Sequence, residues 1–161
     1  MENKKQAVIY YSLTGNTKLV AELIAKEADA DLIEIEMEKP YTRFSAAIKG
    51  VFQVFRQSKP RITNDIDLTN YDRIYIGTPV WCSTYVPPIN TVIRNVDFEG
   101  KELLFFCTHK GGMGKTFKHF RDILKDSKIL GEKDFLDVSK NDPTNAVSEW
   151  IGLVKIRKVQ K

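Results

Sequence analysis

Cysteine is nearly absent from this sequence of 161 residues, with Cys82 and Cys107 the only two. Two thiols cannot build a disulfide framework, and neither sits in the paired Cys/His spacing of a zinc site. A reducing cytoplasm is therefore the expected environment. Glycine (9) and proline (6) are also sparse, which excludes collagen-like and low-complexity chains, and 42% hydrophobic residues exclude disorder. No apolar run is long enough for a signal peptide or a membrane span, and residues 1–6 are polar, so no membrane partner is expected. Also missing are a Ser-His-Asp order, a carboxylate dyad and a metal-ligand cluster, which leaves hydrolytic chemistry without support. Acidic charge is in slight deficit: 25 Lys+Arg stand against 21 Asp+Glu, a net charge of +4. Without a recognised binding module, so small an excess predicts no nucleic-acid partner.

The length suits one domain spanning residues 1–161. Within it, short apolar runs alternate with segments of helical period, the pattern of an α/β fold with a parallel sheet. Strands are expected at 7–11, 32–37, 73–77, 102–107 and, more weakly, 135–138. Leu19, Val20, Leu23 and Ile24 mark a first helix. A second runs through Phe44, Ile48, Val51, Phe52 and Phe55, and its apolar stripe is expected to lie on the sheet. Further helices are expected over 88–94, through Phe117, Phe120 and Leu124, and through Val147, Trp150, Ile151 and Val154. The last is opened by Asn141-Asp142-Pro143-Thr144, a good start signal. Right-handed crossovers then give a three-layer, doubly wound, five-stranded parallel sheet, in which ligands bind beyond the carboxyl ends of the strands. The loops after Tyr11, Gly77 and Cys107 are the ones to inspect.

The first of these, Ser12-Leu13-Thr14-Gly15-Asn16-Thr17, gathers three hydroxyls, an amide and a glycine at a helix amino terminus. Unpaired N–H groups and the positive end of the helix dipole suit a phosphate there, and Gly15 lets the backbone curl inward. Simple helix capping is the plainer alternative. The spacing (Ser/Thr)-x-Thr-Gly-x-Thr, met by Ser12, Thr14, Gly15 and Thr17, resembles the phosphate loop of flavodoxins. The loop after the third strand begins Thr78-Pro79-Val80-Trp81-Cys82-Ser83 and resembles the one that flanks the flavin ring in that family, with Trp81 as the stacking aromatic. The loop after the fourth, Thr108-His109-Lys110-Gly111-Gly112-Met113-Gly114, is similar to the one whose backbone contacts the far edge of the flavin.

The resemblance covers nearly the whole chain and is to the short-chain form. It implies strand order 2-1-3-4-5, one non-covalent FMN, and electron transfer with a redox partner protein or NAD(P)H. It also implies cofactor contacts from Ser12, Leu13, Thr14, Gly15, Asn16 and Thr17 to the phosphate, from Thr78 to the ribityl chain, and from Pro79, Val80, Trp81 and Cys82 along the ring. Thr108, His109, Gly111, Gly112 and Gly114 complete the set. The chain departs from common flavodoxins at Cys82-Ser83, where many members carry a glycine whose peptide flips toward the reduced ring. An NAD(P)H-dependent quinone or small-molecule reductase on the same fold is the alternative from a different class.

Two rival features remain. Lys110-Gly111-Gly112-Met113-Gly114-Lys115-Thr116 matches the variant P-loop Lys-Gly-Gly-x-Gly-Lys-(Ser/Thr) of certain ATPases, with Lys115 on phosphates and Thr116 on magnesium. Its place late in a short chain argues against that use. Cys82 and Cys107 end neighbouring strands, which raises a thiol pair against the commoner buried free cysteine. The charge is also uneven. Residues 39–61 hold six bases (Lys39, Arg43, Lys49, Arg56, Lys59, Arg61) and no acid, and residues 155–161 hold four more. Setting those ten aside leaves 15 basic residues against 21 acidic ones, so two basic segments sit on an acidic body.

Overall fold

The computed structural model describes residues 4–156. Five parallel strands form the sheet: β1 (Gln6–Tyr10), β2 (Asp31–Glu34), β3 (Arg73–Trp81), β5 (Glu102–His109) and β6 (Lys128–Leu136). A two-residue strand, β4 (Thr84–Tyr85), turns back antiparallel on β3. The order is β2-β1-β3-β5-β6, so the parallel strands alone follow the expected 2-1-3-4-5.

Alternation along the strands feeds two cores. Ala7, Ile9, Ile74, Ile76, Leu103 and Phe105 face α4 (Pro87–Asn95) and α5 (Thr116–Ile123), where Phe120 stacks on Phe105 with centroids 4.5 Å apart. Val8, Tyr10, Tyr75, Leu104 and Phe106 face the other way, toward α1 (Asn16–Ala28) and α6 (Thr144–Ile156). The start signal of α6 works as read: the N–H and hydroxyl of Thr144 both donate to Asp142 Oδ1, at 3.0 and 2.6 Å. Helices on both faces of a parallel sheet make the three-layer, doubly wound fold.

Three elements differ from expectation. The last strand begins at Lys128 rather than 135, because Gly131, Glu132, Lys133 and Asp134 hide its pattern, and an edge strand tolerates such charge. A register shift opposite Leu103/Leu104 disturbs the alternation further. The second strand ends at Glu34, after which Met37 makes only an isolated bridge to Ile62.

The largest departure is the second helical segment, built of α2 (Arg43–Ser45), a π-helical turn (Ala46–Gly50) and α3 (Val51–Phe55). Its large apolar stripe does not lie on the sheet. Ala46 and Gly50 face inward instead, while Phe44, Ile48, Phe52 and Phe55 are 77, 62, 56 and 77% exposed. Small residues win the inner face because the segment lies so close to Trp81 that a Cβ at Gly50 would stand 2.7 Å from its Cζ3.

Candidate functional site

At the carboxyl edge of the sheet, the loops after β1, β3 and β5 are joined to one another. The Thr17 and Thr108 hydroxyls share a buried hydrogen bond of 2.8 Å, which fixes the start of α1 against the end of β5. Tyr11 meets the Trp81 ring edge-on at 6.3 Å, and the Lys115 N–H donates to Ser83 O at 2.7 Å.

The first loop is shaped as an open anion cradle. Gly15 sits at φ 92°, a conformation that glycine adopts without strain, and a Cβ there would meet nothing within 4 Å. It is also the residue before the first turn of α1, and no side chain among the described residues caps that turn. The hydroxyls therefore do not serve as caps. Ser12 Oγ instead accepts from the Gly15 N–H at 3.1 Å, which holds the loop closed upon itself. Uncapped first-turn amides with no acidic neighbour in that turn make a site for negative charge. Thr14 is exposed and Ser12, Leu13 and Asn16 are partly exposed, so this side stays open.

The second loop is a hairpin, which the sequence conceals. Val80 pairs with Tyr85 and Trp81 with Thr84, leaving Cys82 and Ser83 as a two-residue turn with φ of 49° and 64°. Positive φ at both positions is a type I′ turn, normally made by Asn-Gly. Here two ordinary side chains take the left-handed conformation, and the place where common flavodoxins carry a glycine still has a glycine-like backbone. Ser83→Gly should raise thermal stability by about 0.5–1 kcal/mol, the left-handed cost of a side chain less the entropy cost of glycine. A melting temperature that falls instead would show that the serine side chain is needed where it packs on Gly114.

Trp81 is half-buried in an aromatic corner. Tyr41 lies edge-on to it at 5.2 Å and Tyr11 edge-on at 6.3 Å, with Gly50 behind. Burial pushes the hydroxyls of Tyr11 and Tyr41 up to about 12, so both are neutral phenols at physiological pH. The Tyr41 hydroxyl donates to Gln53, which ties the corner to α3. Pro79 and Val80 continue β3 into the hairpin. Thr78 is fully buried, and its hydroxyl donates to Pro79 O at 2.8 Å and accepts from the Val86 N–H at 3.2 Å. That hydroxyl holds the hairpin in place.

In the third loop, Gly111 and Gly112 border open space. His109 ends β5 with its side chain 7% exposed; Nε2 pairs with Asp134 Oδ2 at 3.0 Å, while Nδ1 is buried with no partner among the described residues. The variant P-loop reading fails on this geometry. Gly114 packs on Ser83, the Lys115 amide is engaged by Ser83 O, and the buried Thr116 hydroxyl donates to Met113 O at 2.6 Å. The thiol pair fails as well: Cys82 is exposed on the turn, while Cys107 is fully buried, its thiol pushed well above the usual range first by that burial.

The flavodoxin sequence profile matches residues 5–153, almost the whole chain. The chain belongs to the flavodoxin family. A protein of Bacteroides uniformis ATCC 8492 assigned as a flavoprotein superposes on this flavodoxin with a TM-score of 0.84 at 27% identity, covering 92% of this chain and 98% of that one. A flavoprotein of Lactobacillus acidophilus NCFM, solved in complex with FMN, superposes at 0.72 with 29% identity, covering 88% and 99%. A Cupriavidus metallidurans NAD(P)H dehydrogenase (quinone) is 31% identical over 75 residues, which is 47% of this chain and 38% of that protein. The match thus spans less than two-fifths of that relative's length.

Sequence reasoning missed Tyr11, Tyr41, Gly50 and Asp134. Tyr11 had a usable signal, since it directly follows β1 on the face shared by Ala7 and Ile9. Gly50 and Asp134 lie in segments whose packing only the folded chain shows.

Proposed function

We propose that this chain binds one FMN non-covalently and carries electrons between redox partners. The observation that carries the reading is the uncapped amino terminus of α1, set at the same sheet edge as Trp81 and the open Gly111-Gly112 loop. FMN bound there would supply electron-transfer chemistry. The chain supplies the rest. The amides of Asn16 and Thr17, with the Ser12 and Thr14 hydroxyls, hold the phosphate. Trp81, backed by Tyr41 and Gly50, gives the ring a flat apolar wall and excludes water. Thr17 and Thr108 keep the first and third loops in register through their shared hydrogen bond. The Lactobacillus relative, solved with FMN, supports the choice of cofactor.

The absorption spectrum of the purified protein before and after FMN addition tests the reading; no flavin uptake at micromolar concentrations would refute it. Trp81→Ala should weaken FMN about tenfold and restore part of its fluorescence, consistent with a stacking contribution of about 0.5–1.5 kcal/mol beyond area. A second reading, an NAD(P)H-dependent quinone or small-molecule reductase, is favoured by the Cupriavidus relative. Stopped-flow mixing with NADPH separates the two: fast direct reduction selects the reductase, and reduction only through a partner protein selects the carrier.

A further inference from the structure

The outward side of residues 43–55 is apolar and cationic at once. Phe44, Ile48, Phe52 and Phe55 recur at spacings of four, four and three, each more than half exposed, on the side away from Ala46 and Gly50. On the same segment and next to it in sequence are Lys39, Arg43, Lys49, Arg56 and Lys59, all exposed, and none has a carboxylate partner among the described residues. Arg61 alone reaches an acid, Glu38, at 3.8 Å. Arg56 lies over the Phe52 ring at 4.3 Å, so cation and apolar stripe share one surface. A monomer seldom leaves so many large apolar side chains together in water.

We propose that this face docks on an anionic lipid bilayer, which the protein meets at its surface without crossing. The chemistry matches: aromatic and aliphatic side chains enter the headgroup boundary, and flanking lysines and arginines pair with lipid phosphates. No helix among the described residues is long and apolar enough to cross a membrane, and surface binding needs none.

The neutral polar groups of the segment favour lipid over a protein partner. Thr42 and Ser45 are spent on each other in a capping box, Gln53 accepts from Tyr41, and Gln57 accepts from Arg94. Beyond the side-chain amide N–H groups of Gln53 and Gln57, what the face offers is apolar area and positive charge, which a bilayer takes up without directional hydrogen bonds. A second copy fits poorly, because a two-fold contact through this stripe would set like cations against each other.

The test is sedimentation of the full chain, flavin-free and FMN-reconstituted, with vesicles of phosphatidylcholine alone or mixed with phosphatidylglycerol. Binding to the anionic vesicles is expected in both forms, weakened by molar salt, and little binding is expected to the neutral ones. Arg43→Glu with Lys49→Glu should lower partitioning by more than about tenfold. Phe44→Ser with Phe55→Ser should lower it at least about tenfold, with unchanged melting because both rings are exposed. In Phe55→Trp, indole emission should shift to the blue on anionic vesicles only. Absence of binding, equal binding to neutral vesicles, or indifference to both double variants overturns the proposal. So does a concentration-dependent dimer that the serine variant dissolves, which would assign the face to a second copy. The surface does not depend on the flavin reading, and the flavin-free arm keeps the two separable.

Discussion

Asn16→Asp should leave the fold slightly more stable and deprive it of FMN. Asn16 is the first residue of α1, half-exposed beside an uncapped turn that holds no acid. A carboxylate there interacts favourably with the helix dipole and first-turn amides, by about 0.3–1 kcal/mol, so the flavin-free protein should melt a degree or more higher. The same charge then occupies the field meant for a phosphate. Two like charges about 5 Å apart at an effective dielectric near 20 repel by roughly 3 kcal/mol, and the phosphate carries more than one charge. FMN affinity should therefore fall at least about 100-fold in a fluorescence titration. Riboflavin, which lacks the phosphate, is the control and should bind the variant and the parent alike. Equal weakening of both ligands would place the phosphate elsewhere. The opposite signs of the two effects are what distinguish a phosphate site from an ordinary helix start.

The open helix start at 12–17 was legible because its signals are local: hydroxyls and a glycine between a strand and a helix act within six residues. The doubly wound order was legible for a similar reason, since each buried strand is a short apolar run and each helix shows its own period. The hairpin at Cys82-Ser83 was not, because its turn residues carry none of the Asn-Gly signal and only pairing across β3 and β4 enforces φ of 49° and 64°. The stripe at Phe44, Ile48, Phe52 and Phe55 was read at the correct period with the wrong face inward. Periodicity says which residues share a face, and not which face the protein covers. That choice was made by the space beside Trp81, which accepts Ala46 and Gly50 and would not accept a phenyl ring. Of the basic tail, Arg157, Lys158 and Lys161 lie outside the described residues.

Glu102→Gln should be the most destabilising polar substitution at the opposite edge of the sheet. Arg73 and Glu102 head β3 and β5 as register partners, and their side chains are only 2 and 8% exposed. The guanidinium donates twice to Glu102 Oε2, from Nε at 3.0 Å and Nη2 at 2.6 Å, while Lys4 and Lys128 reach Oε1 at 2.7 and 2.8 Å. Glutamine keeps the shape but leaves a buried guanidinium without its counter-charge. Breaking a buried pair in this way costs about 3–5 kcal/mol, or roughly 10 °C of melting temperature for a chain of this size. Burial alone would raise the Glu102 carboxyl, yet the hydrogen bonds from Lys128, Lys4 and Arg73 prevail and hold it down at about 2, against an ordinary 4.5. A depressed native value means that the charged pair stabilises fully above about pH 4.5 and loses its effect as pH falls through about 2. The gap in melting temperature between parent and variant should accordingly be widest near neutrality and close across that acid window. Lys128→Ala should cost under about 1 kcal/mol, because that lysine is 57% exposed and its charge is screened. Glu102 sits about 25 Å along β5 from the loops proposed to hold the flavin, at roughly 3.3 Å per residue. FMN affinity of the folded variant should therefore match the parent at neutral pH, and a shared loss of stability and affinity would show that the two ends of the sheet are coupled.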